Sequence, residues 1–136
     1  MQDTLTPTLR VLIADDSKDA ADSLATLVQQ WGHEPHVAYD GQQALDVAAV
    51  SSPHVAVLDI GMPRLDGWEV ARRLRERPGW GLTLLLALTG YGREEDALRS
   101  RKMGFDHHLT KPHEPDELRS LLACEKEILI RLGRLE

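Results

Sequence analysis

The chain is poor in several features, and each shortage narrows the class of protein. A single cysteine, Cys124, permits no internal disulfide and fits a reducing compartment, so we expect a cytoplasmic protein. No apolar run approaches the roughly 20 residues that span a bilayer, and residues 1–8 hold no signal-peptide core. Lys and Arg (16) are outnumbered by Asp and Glu (22), and the resulting net charge of −6 argues against nucleic-acid binding. We therefore expect neither membrane insertion nor a nucleic-acid partner.

What the chain does have is the composition of a folded domain. Apolar residues make up 42% of 136 residues, which is enough for one domain with its own core. We expect a disordered leader over residues 1–8, the domain over residues 9–123, and an extension of the last helix over residues 124–136.

Five short stretches that are predicted to be strands alternate with five stretches of helical spacing. The predicted strands lie at residues 9–14, 36–38, 55–59, 82–88 and 106–109. The third and fourth are apolar on both faces, which is typical of parallel strands covered by helices on both sides. Right-handed crossovers leave few arrangements for such a chain. The pattern predicts an α/β fold of the flavodoxin-like (βα)5 type, with a five-stranded parallel sheet in the order 2-1-3-4-5.

The spacing of apolar residues also predicts which side of each helix faces the sheet. The expected inward positions are Ala20, Leu24, Leu27, Val28 and Trp31 in the first helix, Ala44, Leu45 and Ala48 in the second, Val70, Ala71 and Leu74 in the third, and Leu118, Leu121 and Leu122 in the last. Gly32 is expected to end the first helix in the left-handed conformation. The three tryptophans lack interleaved basic residues, so we expect them to pack against the core.

The last helix continues beyond the length that the domain needs. Its extra turns expose Ile128, Leu129 and Leu132 unless a partner covers them. This motivates the hypothesis of a homodimer or of docking to an adjoining domain through the C-terminal helix. A tail packed on its own domain is the alternative.

Polar residues follow four of the predicted strands. Asp15 and Asp16 follow the first strand, Asp59 ends the third, Thr89 follows the fourth and Lys111 follows the fifth. In the order 2-1-3-4-5 these strands are consecutive neighbours about 4.8 Å apart, and ligands bind at the carboxyl edge of such sheets. Taken singly, each residue has an ordinary reading as a cap, a turn residue or a surface charge. Their shared position at one edge predicts a site.

The residue types at this edge suit phosphoryl transfer. Three carboxylates in one cleft raise each other's pKa unless a cation is present, and oxygen ligands suit Mg²⁺. We expect Asp16 and Asp59 as direct ligands, Asp15 as a water-mediated one, and the backbone carbonyl of Gly61 as a further candidate. Asp59 would be the nucleophile that forms an acyl phosphate. Lys111 would supply a point charge for one phosphoryl oxygen and Thr89 a hydroxyl for another.

These residues resemble the response-regulator receiver domain of two-component signalling. The motifs that carry the resemblance are Asp15-Asp16, Asp59, Met62-Pro63, Asp66-Gly67, Thr89-Gly90 and Lys111-Pro112, and it spans about residues 9–123. It implies that Asp59 takes a phosphoryl group from a histidine kinase or a histidine phosphotransfer domain. It also implies Mg²⁺ held by Asp16, Asp59 and the Gly61 carbonyl with Asp15 assisting, and a self-modifying switch rather than a turnover enzyme.

The resemblance assigns further roles near the end of the domain. Thr89 would be the switch hydroxyl that moves toward the phosphate, and the bond between Lys111 and Pro112 is expected to be cis. The motifs around Thr89 and Lys111 are most similar to receivers associated with hybrid histidine kinases.

Two positions depart from the family pattern. His108 stands where the family has Tyr or Phe, and because an imidazole is smaller than a phenol we expect coupling to Thr89 that is weaker or pH-sensitive. His113 replaces a residue that is usually apolar, which puts a standard partner surface there in doubt.

Two other functions remain open from the sequence. An unphosphorylated pseudo-receiver would serve only as a protein-interaction module. A haloacid-dehalogenase-type enzyme would also use a strand-end Asp, but it needs a second Asp two residues later, where this chain has Gly61.

Overall fold

Strands and helices alternate along the whole chain. The computed structural model describes residues 8–80, 83–90, 94–111 and 115–135, with residues 94–97 in their backbone only. The elements are β1 (Arg10–Ala14), α1 (Lys18–Gln30), β2 (Glu34–Ala38), α2 (Gly41–Ser51), β3 (Val55–Asp59), α3 (Gly67–Glu76), β4 (Leu84–Thr89), α4 (Glu94–Lys102), β5 (His107–Thr110) and α5 (Pro115–Arg131). The predicted succession is confirmed, and only the ends of individual elements differ.

The five strands form one parallel sheet in the order β2-β1-β3-β4-β5. This confirms the predicted flavodoxin-like arrangement. The register aligns the carboxyl ends of neighbouring strands, since Asp59 lies opposite Leu88 and Thr89 lies opposite Thr110. The residues that follow β1, β3, β4 and β5 are therefore brought to one edge.

Helices cover both faces of the sheet, which explains why the central strands are apolar throughout. Successive side chains of a strand point to opposite faces. Leu12 and Ala14 thus join a core with α2 and α3, while Val11 and Ile13 join a core with α1 and α5. All five residues of β3 are buried, so its final residue is held in a rigid setting.

The helix starts and stops follow local side-chain chemistry. The side chains of Ser17, Asp40 and Asp66 are the N-caps of α1, α2 and α3, and each accepts a hydrogen bond from a backbone N–H of the first turn. Gly32 follows α1 with φ of +91°, as predicted, a conformation that glycine adopts without a steric penalty.

Two details of the predicted helix faces are wrong. Ala20 is exposed and Ala21 is buried in its place, so the inward face of α1 begins one residue later. Leu129 is 5% exposed rather than solvent-facing, whereas Ile128 and Leu132 are exposed as expected. Both errors arise because spacing alone does not fix the rotation of a helix about its axis.

The C-terminal segment packs on the domain. α5 continues to Arg131, and both Leu129 and Leu135 lie in the same apolar cluster as Leu9 and Val28. The predicted division of the chain at residue 123 stays a prediction, and most of the predicted leader lies outside the described residues.

Other peripheral expectations concern single residues. Trp31, Trp68 and Trp80 are partly buried against the two cores, which confirms that they pack. Cys124 is exposed on α5.

Among the helices of the described ranges, none has the length and apolarity that crossing a membrane requires.

Candidate functional site

Asp59 ends β3 in a recess at the carboxyl edge of the sheet. The residue is 7% exposed. Its Oδ1 accepts a hydrogen bond from the backbone N–H of Gly61 at 2.9 Å. The neighbouring Ile60 N–H donates to the carbonyl of Leu88 at 3.0 Å, which fixes the chain just beyond the strand. The carboxylate is thus held in place with its second oxygen available.

Asp15 and Asp16 reach the same recess from the end of β1. Asp15 is 2% exposed, and its Oδ1 accepts from the backbone N–H of Ser17 at 2.9 Å. Asp16 is exposed. One oxygen from each of Asp15, Asp16 and Asp59 can be chosen so that all three lie within 4.8 Å of one another. The three predicted acids therefore converge.

Lys111 brings a positive charge to the acids from the end of β5. Its backbone N–H donates to the carbonyl of Thr89 at 2.6 Å, which ties the ends of β4 and β5 together. Its Nζ lies 2.6 Å from Asp15 Oδ2 and 3.5 Å from Asp59 Oδ2. The sequence predicted Lys111 near Asp59, but nothing in it signalled that the shorter ion pair is with Asp15.

The recess perturbs the acid–base behaviour of Asp59 and Lys111. The pKa of Asp59 is raised to about 6, and burial is the largest cause. The Gly61 N–H and Lys111 act to lower this pKa, and Asp15 and Asp16 act to raise it. Burial also acts to lower the pKa of Lys111, but its hydrogen bond to Asp15 and the charge of Asp59 outweigh this and raise it. The burial of the Asp59 carboxylate thus disfavours its charged form more than the Gly61 N–H and the Lys111 ammonium favour that form.

The acidic cluster fits a small divalent cation. One oxygen from each of the three acids lies within 4.8 Å of the other two, which gives a set of carboxylate oxygens of the kind that Mg²⁺ prefers. The charge of the cation would also favour the ionised form of Asp59, whose pKa is raised first by burial and then by the neighbouring acids.

Two glycines near Asp59 have different roles. A Cβ on Gly67 would lie 2.6 Å from the Asp59 carbonyl oxygen, so only glycine lets the start of α3 approach β3 this closely. A Cβ on Gly61 would lie 3.5 Å from Asp59 Oδ1, an ordinary contact. The packing of the chain itself thus requires glycine at position 67 and not at position 61.

Thr89 and His108 lie on β4 and β5, two of the strands that end at the recess. Thr89 ends β4 and is 1% exposed. His108 is half-buried opposite Ala87, and its Nε2 is buried with no hydrogen-bond partner among the described residues. The imidazole borders a cavity of about 310 Å³ between α4 and β5, which is also lined by Ser100 and Phe105. There is space next to His108 for a side chain to move.

Some expectations fall outside the described part of the chain. The expected cis bond between Lys111 and Pro112 lies outside the described residues, and so does His113.

A contact of Trp68 with Ser100 on α4 was not predicted from the sequence, because Trp68 was expected only to pack and Ser100 lies in no motif.

Fold and site together define a class of protein: a doubly covered parallel α/β sheet with an acidic, lysine-bearing recess at its carboxyl edge. The sequence pattern of the response regulator receiver domain matches residues 11–123. The chain belongs to this family. Receiver domains are the signalling switches of two-component systems, and across the family they are phosphorylated and bind Mg²⁺ at an acidic pocket.

Known proteins resemble the chain along most of its length. An uncharacterized 14.6 kDa protein from the sodA1 3′ region of Leptolyngbya boryana is 37% identical over 79% of this chain and 82% of that protein. The response regulator MprA of Mycobacterium tuberculosis is 38% identical over 81% of this chain but 47% of its own length. The chain therefore spans about half the length of relatives such as MprA.

Solved structures agree with this assignment. The receiver domain of the Francisella response regulator 1452 superposes with a TM-score of 0.81 at 32% identity, covering 88% of this chain and 98% of that one. The signal receiver domain of a signal transduction histidine kinase from Syntrophus aciditrophicus superposes with a TM-score of 0.80 at 25% identity, covering 88% and 91%.

Proposed function

We propose that this chain is a phosphoacceptor in a two-component phosphorelay and that Asp59 takes the phosphoryl group. The observation that supports this most is the convergence of a buried carboxylate, two further acids and a lysine on one recess. Each group answers one need of phosphoryl transfer, namely a nucleophile, a cation site and a positive charge for a phosphoryl oxygen.

The proposed reaction balances as a transfer between two side chains. Asp59 Oδ2 forms a bond to phosphorus while the N–P bond of a phosphohistidine breaks, and the imidazole keeps the electron pair and takes up a proton. The Gly61 N–H holds Oδ1 of the nucleophile at 2.9 Å, so the attacking oxygen is Oδ2, which also faces Lys111. Hydrolysis of the acyl phosphate by water returns the carboxylate and releases phosphate, so the protein is a self-resetting switch rather than a turnover enzyme.

Asp16, Asp59 and the Gly61 carbonyl would hold Mg²⁺, with Asp15 acting through a water. Bound there, the ion supplies charge neutralisation at the transferring phosphoryl oxygens. Lys111 would then have two anionic neighbours, Asp15 and the new phosphate. Its ammonium would move the short distance from Asp15 to the phosphate. Its position 3.5 Å from Asp59 supports this role.

Thr89 and His108 are the proposed switch residues. The hydroxyl of Thr89 would donate to the phosphate, and His108 would move into the space that Thr89 leaves. The cavity beside His108 supports such a movement. In the variant His108→Tyr we expect larger phosphorylation-dependent shifts of the backbone amides of β5. Equal shifts in the variant and the parent would remove His108 from the switch.

The phosphodonor is proposed to be a histidine kinase or a histidine phosphotransfer domain. A groove of about 390 Å³ runs from Asp15 and Lys111 along α1, and its lining includes Ala20, Leu24 and Leu27. We infer that a donor helix contacts this surface when it delivers a phosphohistidine to Asp59, and the exposed Ala20 suits such a contact. The matching receiver of a Syntrophus histidine kinase supports the association with hybrid kinases.

The exposed end of α5 is a second proposed contact surface, for a second copy or an adjoining domain. Ile128 and Leu132 are 46% and 60% exposed and lie one helical turn apart. Sedimentation of the full chain and of the variant Ile128→Gln, Leu132→Gln tests this. We expect the variant to be the smaller species, and equal masses would contradict a homodimer formed through this surface. Membrane insertion and nucleic-acid binding are not part of the proposal, and the proposed location is the cytoplasm.

Intact-mass measurement tests the proposed phosphoacceptor directly. Incubation with Mg²⁺ and acetyl phosphate is expected to add a single phosphoryl group to the parent chain and none to Asp59→Asn. Asp16→Asn is expected to weaken Mg²⁺ binding at least about tenfold, since even partners outside the ligand set cost about 10–100-fold. A chain that binds no Mg²⁺ and gains no adduct would instead be a pseudo-receiver.

A further inference from the structure

A contact between α3 and α4 links Trp68 to Ser100. The indole Nε1 of Trp68 donates to Ser100 Oγ at 3.0 Å. Ser100 is fully buried, so a broken bond would leave its hydroxyl without solvent to replace the indole. The guanidinium of Arg99 lies 4.0 Å from the ring centroid of Trp68 and adds a cation–π contact. Two neighbouring residues of α4 are thus fastened to one residue of α3.

The other side of Trp68 is tied to the phosphoacceptor. Trp68 follows Gly67, whose Cα approaches the Asp59 carbonyl so closely that no Cβ would fit. The backbone N–H of Gly67 also points at the Ile60 carbonyl at 3.4 Å. Asp66 caps this end of the helix by accepting from the Glu69 N–H at 2.9 Å. The first turn of α3 therefore cannot move independently of the residues at the end of β3.

We propose that Trp68 is a positioning residue that couples the state of Asp59 to the placement of α4. The inference rests on the proposed phosphorylation of Asp59. A phosphoryl group adds bulk and charge where β3 ends, and the close contact at Gly67 passes a displacement to the start of α3. The indole transfers it to α4 because its hydrogen bond and its cation–π contact both end on that helix. This route does not involve Thr89 or His108.

The indole N–H signals of a ¹⁵N-labelled chain provide the test. The chain has three tryptophans, so Trp68→Phe assigns the signal by its loss. With Mg²⁺ and an excess of acetyl phosphate, we expect the Trp68 signal of the parent chain to shift or broaden. In Asp59→Asn under the same conditions it is expected to stay in place.

Variants of α4 separate coupling from simple packing. Ser100→Ala removes the acceptor, so the Trp68 signal should be displaced already in the unmodified chain and respond less to acetyl phosphate. Arg99→Gln should also reduce the response, whereas Arg101→Gln, an exposed arginine of the same helix, should leave it unchanged. In Trp68→Phe, the phosphorylation-dependent shifts of the α4 backbone amides are expected to diminish.

Intact mass on the same samples distinguishes failure of the coupling inference from failure of the proposed function. If the adduct forms on Asp59 and the Trp68 signal does not move, the coupling inference is overturned and the proposed function stands. If Trp68→Phe keeps the full response of α4, the inference is overturned as well. If no adduct forms, the proposed function fails and the coupling fails with it.

Discussion

At the scale of single residues, Lys111 is the group whose partners say most about the site. Its ammonium lies nearer to Asp15 than to Asp59, at 2.6 Å against 3.5 Å, although Asp59 is the proposed nucleophile. A lysine can change partners over this distance by rotating its side chain, because its ammonium has three donors and no fixed plane. Lys111 is therefore suited to stabilise the acids first and a phosphate afterwards.

Replacing Lys111 by glutamine should slow phosphorylation of the chain. The substitution removes the positive charge beside Asp59 Oδ2, and losing one such preorganised donor typically costs about 10²–10³ in rate. The rate of adduct formation with acetyl phosphate measures the effect. Lys102→Gln, an exposed residue at the end of α4, is the matched control and should match the parent. Equal rates for Lys111→Gln and the parent would remove Lys111 from the mechanism.

The two glycines near Asp59 give a second prediction at this scale. Gly67→Ala places a Cβ 2.6 Å from the Asp59 carbonyl oxygen and should destabilise the fold by about 1–3 kcal/mol, as overpacking does. Gly61→Ala makes only an ordinary 3.5 Å contact and should leave the free energy of unfolding near that of the parent. Urea unfolding measures both. A larger loss for Gly61→Ala would mean that the close approach has been assigned to the wrong glycine.

At the scale of elements, Arg75 joins α3 to the amino end of β4 and to the turn before β5. Its guanidinium donates to the carbonyls of Gly104, Trp80 and Thr83 at 3.1, 2.9 and 2.7 Å. It also pairs with Asp106 at 2.7 Å, and Asp106 in turn accepts from the Leu85 N–H at 2.8 Å. One side chain thus satisfies backbone groups from two loops at the edge opposite the proposed site.

Removing this guanidinium should cost far more than removing its neighbour on the same helix. Arg75→Gln leaves partly buried carbonyls without a donor, so we expect a loss of about 1–3 kcal/mol in the free energy of unfolding. Arg72 makes only exposed ion pairs with Glu69 and Glu76, and Arg72→Gln should cost less than about 1 kcal/mol. Denaturant unfolding of both variants measures the two losses. Equal losses of unfolding free energy would mean that the contacts of Arg75 contribute no more than those of Arg72.

The elements themselves were largely predictable, and the physical reason is local. Alternation, helical spacing and breaking residues such as Gly32 depend on neighbours in sequence, so all five strands and five helices follow from the pattern. The site residues converge because each stands just after a strand, and parallel strands share one carboxyl edge.

What could not be predicted depends on packing between distant segments. The hydrogen bond from Trp68 to Ser100 and the contacts of Arg75 join residues that are far apart in sequence, and no sequence pattern indicates them. The burial of Leu129 likewise depends on the part of the domain against which the end of α5 packs. The exposed position of Ala20 has the same origin, since the rotation of α1 is set by what it covers.

At the scale of the whole molecule, two histidines at the amino edge of the sheet, the buried His33 and the half-buried His54, link stability to pH. Burial is the main cause that lowers the pKa of His33, and the charge of Lys126 adds to it. The pKa of His54 is lowered by burial and then by Arg10, and its Nδ1 accepts from the Arg10 N–H at 2.9 Å. Folding therefore favours the neutral form of both imidazoles.

Acid should destabilise the fold through these residues. A folded-state pKa below the unfolded value of 6.5 means that the unfolded chain binds more protons, so this contribution is complete above pH 6.5 and is lost as the pH falls below it. The difference in unfolding free energy between pH 7.5 and pH 5.5 should be smaller in His33→Leu than in the parent. An unchanged difference would mean that His33 does not contribute.

The proposed function depends on Asp59 being the phosphorylated residue, and chemical trapping identifies the phosphorylated residue. Borohydride reduces an acyl phosphate of aspartate to homoserine, and peptide sequencing by mass spectrometry then locates the modified residue. After incubation with Mg²⁺ and acetyl phosphate, we expect homoserine at position 59 and at no other aspartate. Homoserine at position 15 or 16, or none in a chain that binds Mg²⁺, would contradict the proposed function.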